Sequence, residues 1–144
     1  MIPCLYTETE TAFTTNGIGK LCDTLSCLVT EKRNGAYELK MEYPAFGIHA
    51  EDVIEGNIIL AKPSERATAQ PFRIYKITTP LTGLLEVQAR HIQYQENFIT
   101  VSPFSAQGSQ AAMAAIKSHT TTDCPFDFWT DIDSNATFSI TSPA

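Results

Sequence analysis

The sequence predicts a mainly β fold with one α-helix: an antiparallel β-barrel or sandwich-like domain with one short helix packed on it. Alternating apolar and polar segments recur in pairs around turn-forming residues, which is the pattern of β-hairpins. Only residues 105–117 have apolar side chains at helical spacing. The chain has 144 residues, of which 43% are hydrophobic and 18% are charged, and this is enough for one buried core. We therefore expect a single domain over residues 1–144.

The first elements are a short apolar strand over residues 2–6 and, after a loop at residues 14–17, a β-hairpin. The two alternating strands of this hairpin cover residues 25–31 and 36–43. They flank the segment Lys32-Arg33-Asn34-Gly35, whose last two residues are a strong turn signal.

The register of this hairpin depends on how the turn closes. A two-residue turn at Asn34-Gly35 would place Val29 opposite Lys40. A three-residue loop at 33–35, with Gly35 in the left-handed conformation, places Val29 opposite Leu39 instead. A slip of one residue moves every side chain to the other face, and only the second register gathers the apolar side chains on one face, so we predict the three-residue loop. That face then comprises Leu25, Cys27, Val29, Leu39, Met41 and Tyr43.

The central part of the chain predicts a buried strand followed by a second hairpin. Pro44 ends the preceding strand because it cannot donate to a sheet, and residues 47–55 form a connection or a short helical turn. Residues 57–61, in which an apolar run of four follows Asn57, predict a fully buried strand. After a polar loop at 62–71, the segments that form the second hairpin are residues 72–78 and 84–92, joined by a turn at 80–83.

The C-terminal part predicts the single helix and a third hairpin. The helix covers residues 105–117, with Ser105 as its N-cap. Residues 126–132 and 136–141 alternate around Asp133-Ser134-Asn135, which predicts a hairpin.

Charge and composition exclude several function classes. Sixteen acidic and ten basic residues give a net charge of −6, and the basic residues form no cluster beyond Lys32-Arg33, so we expect no nucleic-acid binding. Residues 1–8 lack the features of a secretory signal, which predicts a protein of the cytosol. The longest apolar runs are far shorter than the ~20 residues of a membrane helix, so we expect no membrane span. In a cytosolic protein we expect the cysteines at positions 4, 22, 27 and 124 to be free thiols.

Short motifs that resemble known sites are each incomplete. Gly17-Ile18-Gly19-Lys20 lacks the first glycine and the final Ser or Thr of a phosphate-binding loop. The segment 131–135 begins like a calcium loop, but Ala136 stands where a glycine is required. His49-Ala50-Glu51 begins like a zinc deaminase motif, but Cys124 has no second cysteine two residues later. We therefore predict no metal-binding and no cofactor-binding residues, and no cofactor.

Catalysis would require a cysteine and a histidine that meet only in the folded chain. His91 lies in a predicted strand and His119 at the end of the predicted helix, where a cation is favoured, so both have structural explanations. We predict no catalytic residues and no enzyme in this segment. Two alternatives stay open: a cysteine/histidine hydrolase of the endopeptidase kind, and a small β-barrel that binds a ligand.

Eight segments of the chain together resemble the N-terminal region of phage minor structural proteins. They occur in order over nearly the whole chain: IPCLY (2–6), NGIGKL (16–21), VTEKRNGAYELKMEYP (29–44), GNII (56–59), AKP (61–63), QPFRIYKI (70–77), ARHIQY (89–94) and CPFDFWT (124–130). This family is that of the prophage tail endopeptidases, or tail-associated lysins, which act in the tail hub.

The resemblance implies a structural role in the virion, at the tip of a phage tail that is made in the cytoplasm of a bacterial host. It implies a homotrimer, with a distal tail protein ring above it and a tape-measure protein that passes through or ends at its channel. We expect the wall of this channel to carry more acidic than basic side chains. The endopeptidase of such proteins lies downstream, and its residues have no counterpart in 1–144. We therefore expect the full-length protein to form the stable trimer, and residues 1–144 alone to be a monomer or a weak oligomer.

Overall fold

The computed structural model describes residues 1–79 and 83–143, and it confirms the mainly β fold class. Its elements in chain order are β1 (Cys4–Tyr6), β2 (Gly19–Lys20), β3 (Ser26–Glu31), β4 (Tyr37–Pro44), a 3₁₀ helix (Ala50–Asp52), β5 (Ile58–Ala61), β6 (Gln70–Thr78), β7 (Leu84–His91), a 3₁₀ helix (Ile92–Phe98), β8 (Phe104–Gln107), α1 (Ser109–Ser118) and β9 (Thr137–Ile140).

The chain divides into two compact units, one of residues 1–92 and one that begins at Gln93. The expectation of a single domain over 1–144 stays a prediction. The first unit contains a seven-stranded antiparallel sheet with the strand order β2-β1-β5-β6-β7-β4-β3, and the second contains the two-stranded sheet β8-β9.

The seven-stranded sheet is curled into a half-barrel, because a short connection joins its two edges. β2 ends at Lys20 and β3 begins at Ser26, so residues 21–25 alone cross from one edge to the other. A segment of this length spans at most about 20 Å. Seven flat strands at a spacing of about 4.8 Å would hold the edges about 29 Å apart, so a flat sheet could not accommodate this connection.

The concave face of the half-barrel holds the main core of the first unit. Alternate residues of β4 and β7 point into it, and the strands β1, β5 and β6 contribute from the other side. The core residues are Leu5, Leu21, Leu39, Met41, Tyr43, Val53, Ile59, Ala61, Phe72, Ile74, Leu85, Val87 and Ala89.

A second cluster lies on the other side of β1 and β5 and comprises Cys4, Tyr6 and Ile58. Phe13 covers it, with its ring edge-to-face on Tyr6 at 5.3 Å. β5 is therefore covered on both faces, as the sequence predicted, which explains why its residues 58–61 are continuously apolar.

The first hairpin has the predicted register, with Val29 opposite Leu39 and Cys27 opposite Met41. The loop of three residues is also confirmed, because the Lys32 N–H donates to the Ala36 carbonyl at 2.9 Å. The prediction for Gly35 is wrong: the residue in the left-handed region is Asn34, with φ 55°. Asparagine tolerates this conformation better than most residues, and a turn of this kind needs only one such position.

The predicted central elements are confirmed in their order. β4 ends at Pro44, the connection 47–55 contains the 3₁₀ helix Ala50–Asp52, and β6 and β7 form the second hairpin. Residues 80–82 of its predicted turn lie outside the described residues.

The second unit differs from the sequence prediction at both of its elements. Ser105 lies in β8, and α1 begins after Gly108, which is the N-cap and has φ 91°. Residues 126–132 form no strand in the part of the chain that is described, and β9 pairs with β8 instead. The reason is a set of hydrogen bonds at the start of α1: the Ser109 N–H donates to the Ser134 carbonyl at 2.9 Å, and the Ser109 hydroxyl donates to the Ile132 carbonyl. These bonds hold the returning chain against the helix, so it enters the sheet beside β8.

Candidate assembly surface

The most unusual surface of the first unit is the edge of its sheet at β3. β3 is the last strand of the sheet, and its pairing with β4 runs from Ser26 to Glu31 without a shift in register. No strand covers its outer side within residues 1–79 and 83–143. An uncovered strand edge is a template for pairing with another chain.

The hydrogen bonds of the hairpin fix which backbone groups face outward. Lys32 donates to Ala36, so the backbone of Lys32 faces β4. In an antiparallel pair this alternates along the strand, so Leu28 and Thr30 also face β4. The N–H and C=O groups of Cys27, Val29 and Glu31 therefore point away from the sheet.

β3 lacks the features by which most proteins block such an edge. Those features are lysines, prolines, bulges and very short strands. β3 has six residues, SCLVTE, in which Glu31 at the end is the sole charge. Leu28 is 64% exposed on the outer face. The strand is thus open for pairing at its backbone and apolar at its centre.

A shallow groove of about 340 Å³ runs beside Leu28 on the outer face of β3, β4 and β7. Its charged side chains are Lys40, Glu42 and Glu86, so it presents both signs. Further along the same face, Arg90 contacts Glu38 at 3.3 Å and lies over the ring of Tyr75 at 4.3 Å from its centroid. This face has no concentrated positive charge of the kind that holds phosphates.

Phe46 forms a second exposed apolar feature, in the connection after β4. Its side chain is 97% exposed, yet the backbone around it is held in place. The Tyr43 hydroxyl donates to the Ile48 carbonyl, and the Ile48 N–H donates to Asp23 Oδ2 at 2.8 Å. Phe46 and Leu25 line the same cleft of about 560 Å³, so this aromatic ring lies close to the start of β3.

A smaller cleft of about 230 Å³ contains Cys27 and is also lined by Met1 and Lys62. Although Cys27 is an exposed residue of the edge strand, burial of its sulfur raises the pKa of the thiol to about 11. A thiol with a raised pKa is a poor nucleophile near neutral pH, because little thiolate is present.

The four cysteines are free, as predicted, with Cys4 and Cys124 buried and Cys22 and Cys27 exposed. The Cys4 thiol donates to the Asn16 carbonyl at 3.0 Å, and the Cys124 thiol to the Phe126 carbonyl at 3.7 Å.

The three histidines make contacts typical of structural residues. His49 lies 3.4 Å from Asp52, and the ring of His91 stacks on Tyr37 at 4.5 Å. His119 is the C-cap residue of α1, as its position in the sequence predicted, and its Nδ1 lies 2.8 Å from the Ala115 carbonyl. The absence of catalytic residues stays a prediction.

The motifs judged incomplete in the sequence have ordinary structures. Gly19 and Lys20 form β2 and not the start of a helix. Gly19 faces the imidazole of His49 so closely that a Cβ would overlap it, which explains the glycine without a phosphate. Among the described residues, no three metal-ligating side chains come together, and none of the helices is long and apolar enough to cross a membrane.

Sequence reasoning did not single out Phe46 or the open edge of β3. The signal that could have identified Phe46 is its place in a turn between Pro44 and Gly47, because a large aromatic side chain in a turn has no core in which to be buried. The position of β3 at the sheet edge had no signal, since strand order depends on pairings between distant residues.

Comparison of the chain with protein-family models, curated proteins and solved structures finds no match.

Proposed function

We propose that this chain is a structural component of a bacteriophage or prophage tail tip, the tail hub at the end of the tail tube. It assembles as part of a homotrimeric ring, beside the distal tail protein ring and the tape-measure protein, and it supports a downstream tail-associated lysin or receptor-binding region. The proposal assigns no catalysis to residues 1–144.

The observation that carries this proposal is the unprotected edge of β3 with exposed apolar side chains beside it. Leu25, Leu28 and Phe46 are 62%, 64% and 97% exposed. Exposed apolar side chains beside an open strand edge favour aggregation unless another chain covers them. In a finished assembly, partner chains cover such side chains. The resemblance of eight sequence segments to phage tail proteins indicates which assembly this is.

The net charge of −6 agrees with this role. A tail channel must let a polyanionic genome pass, and an acidic wall does not bind phosphates. The mixed charges beside Leu28 then belong to a surface for protein contacts.

Gold-labelled antibodies against this chain, applied to particles from the bacterium that encodes it, test the proposal. We expect label at one end of each tail, and none with pre-immune serum. The proposal would be contradicted if the tails carried no label and the chain stayed in the supernatant after the particles were sedimented.

A further inference from the structure

The open edge of β3 is suited to a particular occupant. We propose that it is covered by the same edge of a second copy of the chain, in an antiparallel pair centred on Leu28. This contact goes beyond the proposed function, because it is two-fold and joins a chain to a copy outside its own ring: the contacts within a three-fold ring are made between different surfaces.

The backbone geometry allows the pair. In a pairing centred on Leu28, Cys27 of one copy lies opposite Val29 of the other. Both residues direct their N–H and C=O groups away from β4, so each such pair can exchange two hydrogen bonds. The two Leu28 residues face each other in a non-hydrogen-bonded pair, in which the Cα atoms lie about 4.5 Å apart.

The side chains also match. On the outer face, Leu28 packs on Leu28 of the second copy, and Ser26 lies opposite Thr30. Apolar pairs and hydroxyl pairs at directly opposed positions stabilise antiparallel strands. Leu28, now 64% exposed, would lose its contact with water.

The leucine pair selects this register over its neighbours. Centring on Cys27 would place Leu28 opposite Ser26, and centring on Val29 would place it opposite Thr30. Both registers lose the apolar pair at the centre of the contact.

The contact is small. One strand pair buries less than the roughly 1,200 Å² of a standard interface, so we expect dimers at concentrations on the order of 100 µM and not at nanomolar ones. This agrees with the expectation that residues 1–144 alone form a weak oligomer.

Disulfide trapping tests the pairing directly. The exposed thiols are first removed as Cys22→Ser and Cys27→Ser, and Leu28→Cys is added. Because opposed Cα atoms about 4.5 Å apart suit a disulfide, mild oxidation should convert most of this variant to covalent dimer at high concentration. Thr30→Cys on the same background is the matched control. On its own, its thiol lies opposite Ser26 of the second copy, so this variant should stay monomeric. Mixed with a Ser26→Cys variant, it should form mixed disulfide dimers.

Two results would overturn the proposal. Cross-linking of Thr30→Cys to itself in place of Leu28→Cys would show a different register, and failure of both variants to cross-link, with circular dichroism spectra like the parent chain, would show that β3 edges do not meet. Neither result depends on whether the antibodies label phage tails.

Light scattering on the unmodified chain gives a second measurement. Leu28→Lys places two ammonium groups at the centre of the pair and should weaken dimerisation at least tenfold, whereas Lys20→Arg in β2, at the other edge of the sheet, should leave it unchanged. A parent chain that stays monomeric up to about ten times the expected 100 µM range would exclude a second copy as the occupant.

Discussion

At the scale of single residues, the turn of the first hairpin shows how far the sequence determines structure. The alternation of β3 and β4 identifies the register, because a slip would bury Lys40 in place of Leu39. It does not identify which turn residue takes positive φ, since asparagine and glycine both tolerate it. The structure assigns it to Asn34, at φ 55°.

The assignment to Asn34 gives a prediction. Asn34→Val should lower the free energy of unfolding by about 1–2 kcal/mol, because a β-branched residue is strained in the left-handed region. Asn34→Gly should change it by only a few tenths of a kcal/mol. Urea unfolding measures both, and an Asn34→Val variant as stable as the parent would contradict the assignment. Arg33→Val, at the neighbouring loop position without positive φ, controls for the β-branched side chain itself.

Cys27 gives a second prediction at this scale, on pH dependence. Its raised pKa, about 11, means that the folded chain holds the thiol proton more tightly than the unfolded chain does. The free energy that this difference contributes to folding is therefore present below the pKa of the thiol in the unfolded chain. It is lost as pH rises towards 11. In a Cys22→Ser variant, alkylation near pH 8 should be roughly 100-fold slower than for N-acetylcysteine, since the thiolate fraction falls tenfold per pKa unit.

The rate of this alkylation should rise between pH 9 and about 11, because the thiolate is the species that reacts. The same variant in urea should react at the ordinary rate of a free thiol. Equal rates for the folded and urea-unfolded chain at pH 8 would show that the sulfur is not shielded from water.

At the scale of elements, the connection after β4 combines a buried anchor with an exposed tip. Tyr43 is fully buried and donates to the Ile48 carbonyl, while Phe46 between them projects into solvent. The anchor thus pre-organises the tip, which reduces the entropy that a partner must overcome to bind it.

Removing this anchor is a prediction for the element. Tyr43→Phe should lower the free energy of unfolding by about 1–2 kcal/mol, because it deletes the donor to a partly buried carbonyl. Tyr75→Phe is the control, since its hydroxyl contacts Gln88 at 3.0 Å on the exposed surface, and its effect should be near zero. Chemical denaturation of both variants gives the comparison, and equal stabilities would contradict the role of Tyr43.

The C-terminal elements show what periodicity does not specify. Residues 126–132 alternate in the sequence like a strand, and their burial in the structure also alternates, from Phe126 to Thr130. What decides the pairing is the polar side chain of Ser109, which bonds to Ile132 and Ser134. Such a contact between distant residues has no local pattern from which it could be predicted.

At the scale of the whole molecule, the fold class and the order of most elements follow from the sequence, because hydrophobic alternation reports which face each strand buries. The open edge does not, because it is a property of strand order. A later strand that paired with β3 would protect its edge, but no strand does so within the described part of the chain. The residues 26–31 themselves give no signal of this.

The net charge of −6 and the mixed charges around Leu28 give a prediction for the molecule. The purified chain should bind neither DNA nor RNA measurably at about 150 mM salt, since it lacks a positive face that would release counterions. Fluorescence anisotropy with labelled oligonucleotides at low and physiological salt measures this. Binding that weakens steeply with salt would contradict it and would favour the ligand-binding alternative.

The pairing of β4 with β7 has a consequence for how the half-barrel forms over time. The hairpins β3-β4 and β6-β7 are local, but β4 meets β7 through pairs such as Glu38 and Arg90, which are 52 residues apart. Closing so long a loop costs entropy before any contact compensates it, and sheets of this kind fold in milliseconds to seconds. We therefore expect the pairing of β4 with β7 to be the slow step of folding. Until it is complete, the apolar side chains of both strands are exposed to any neighbouring chain that is also folding.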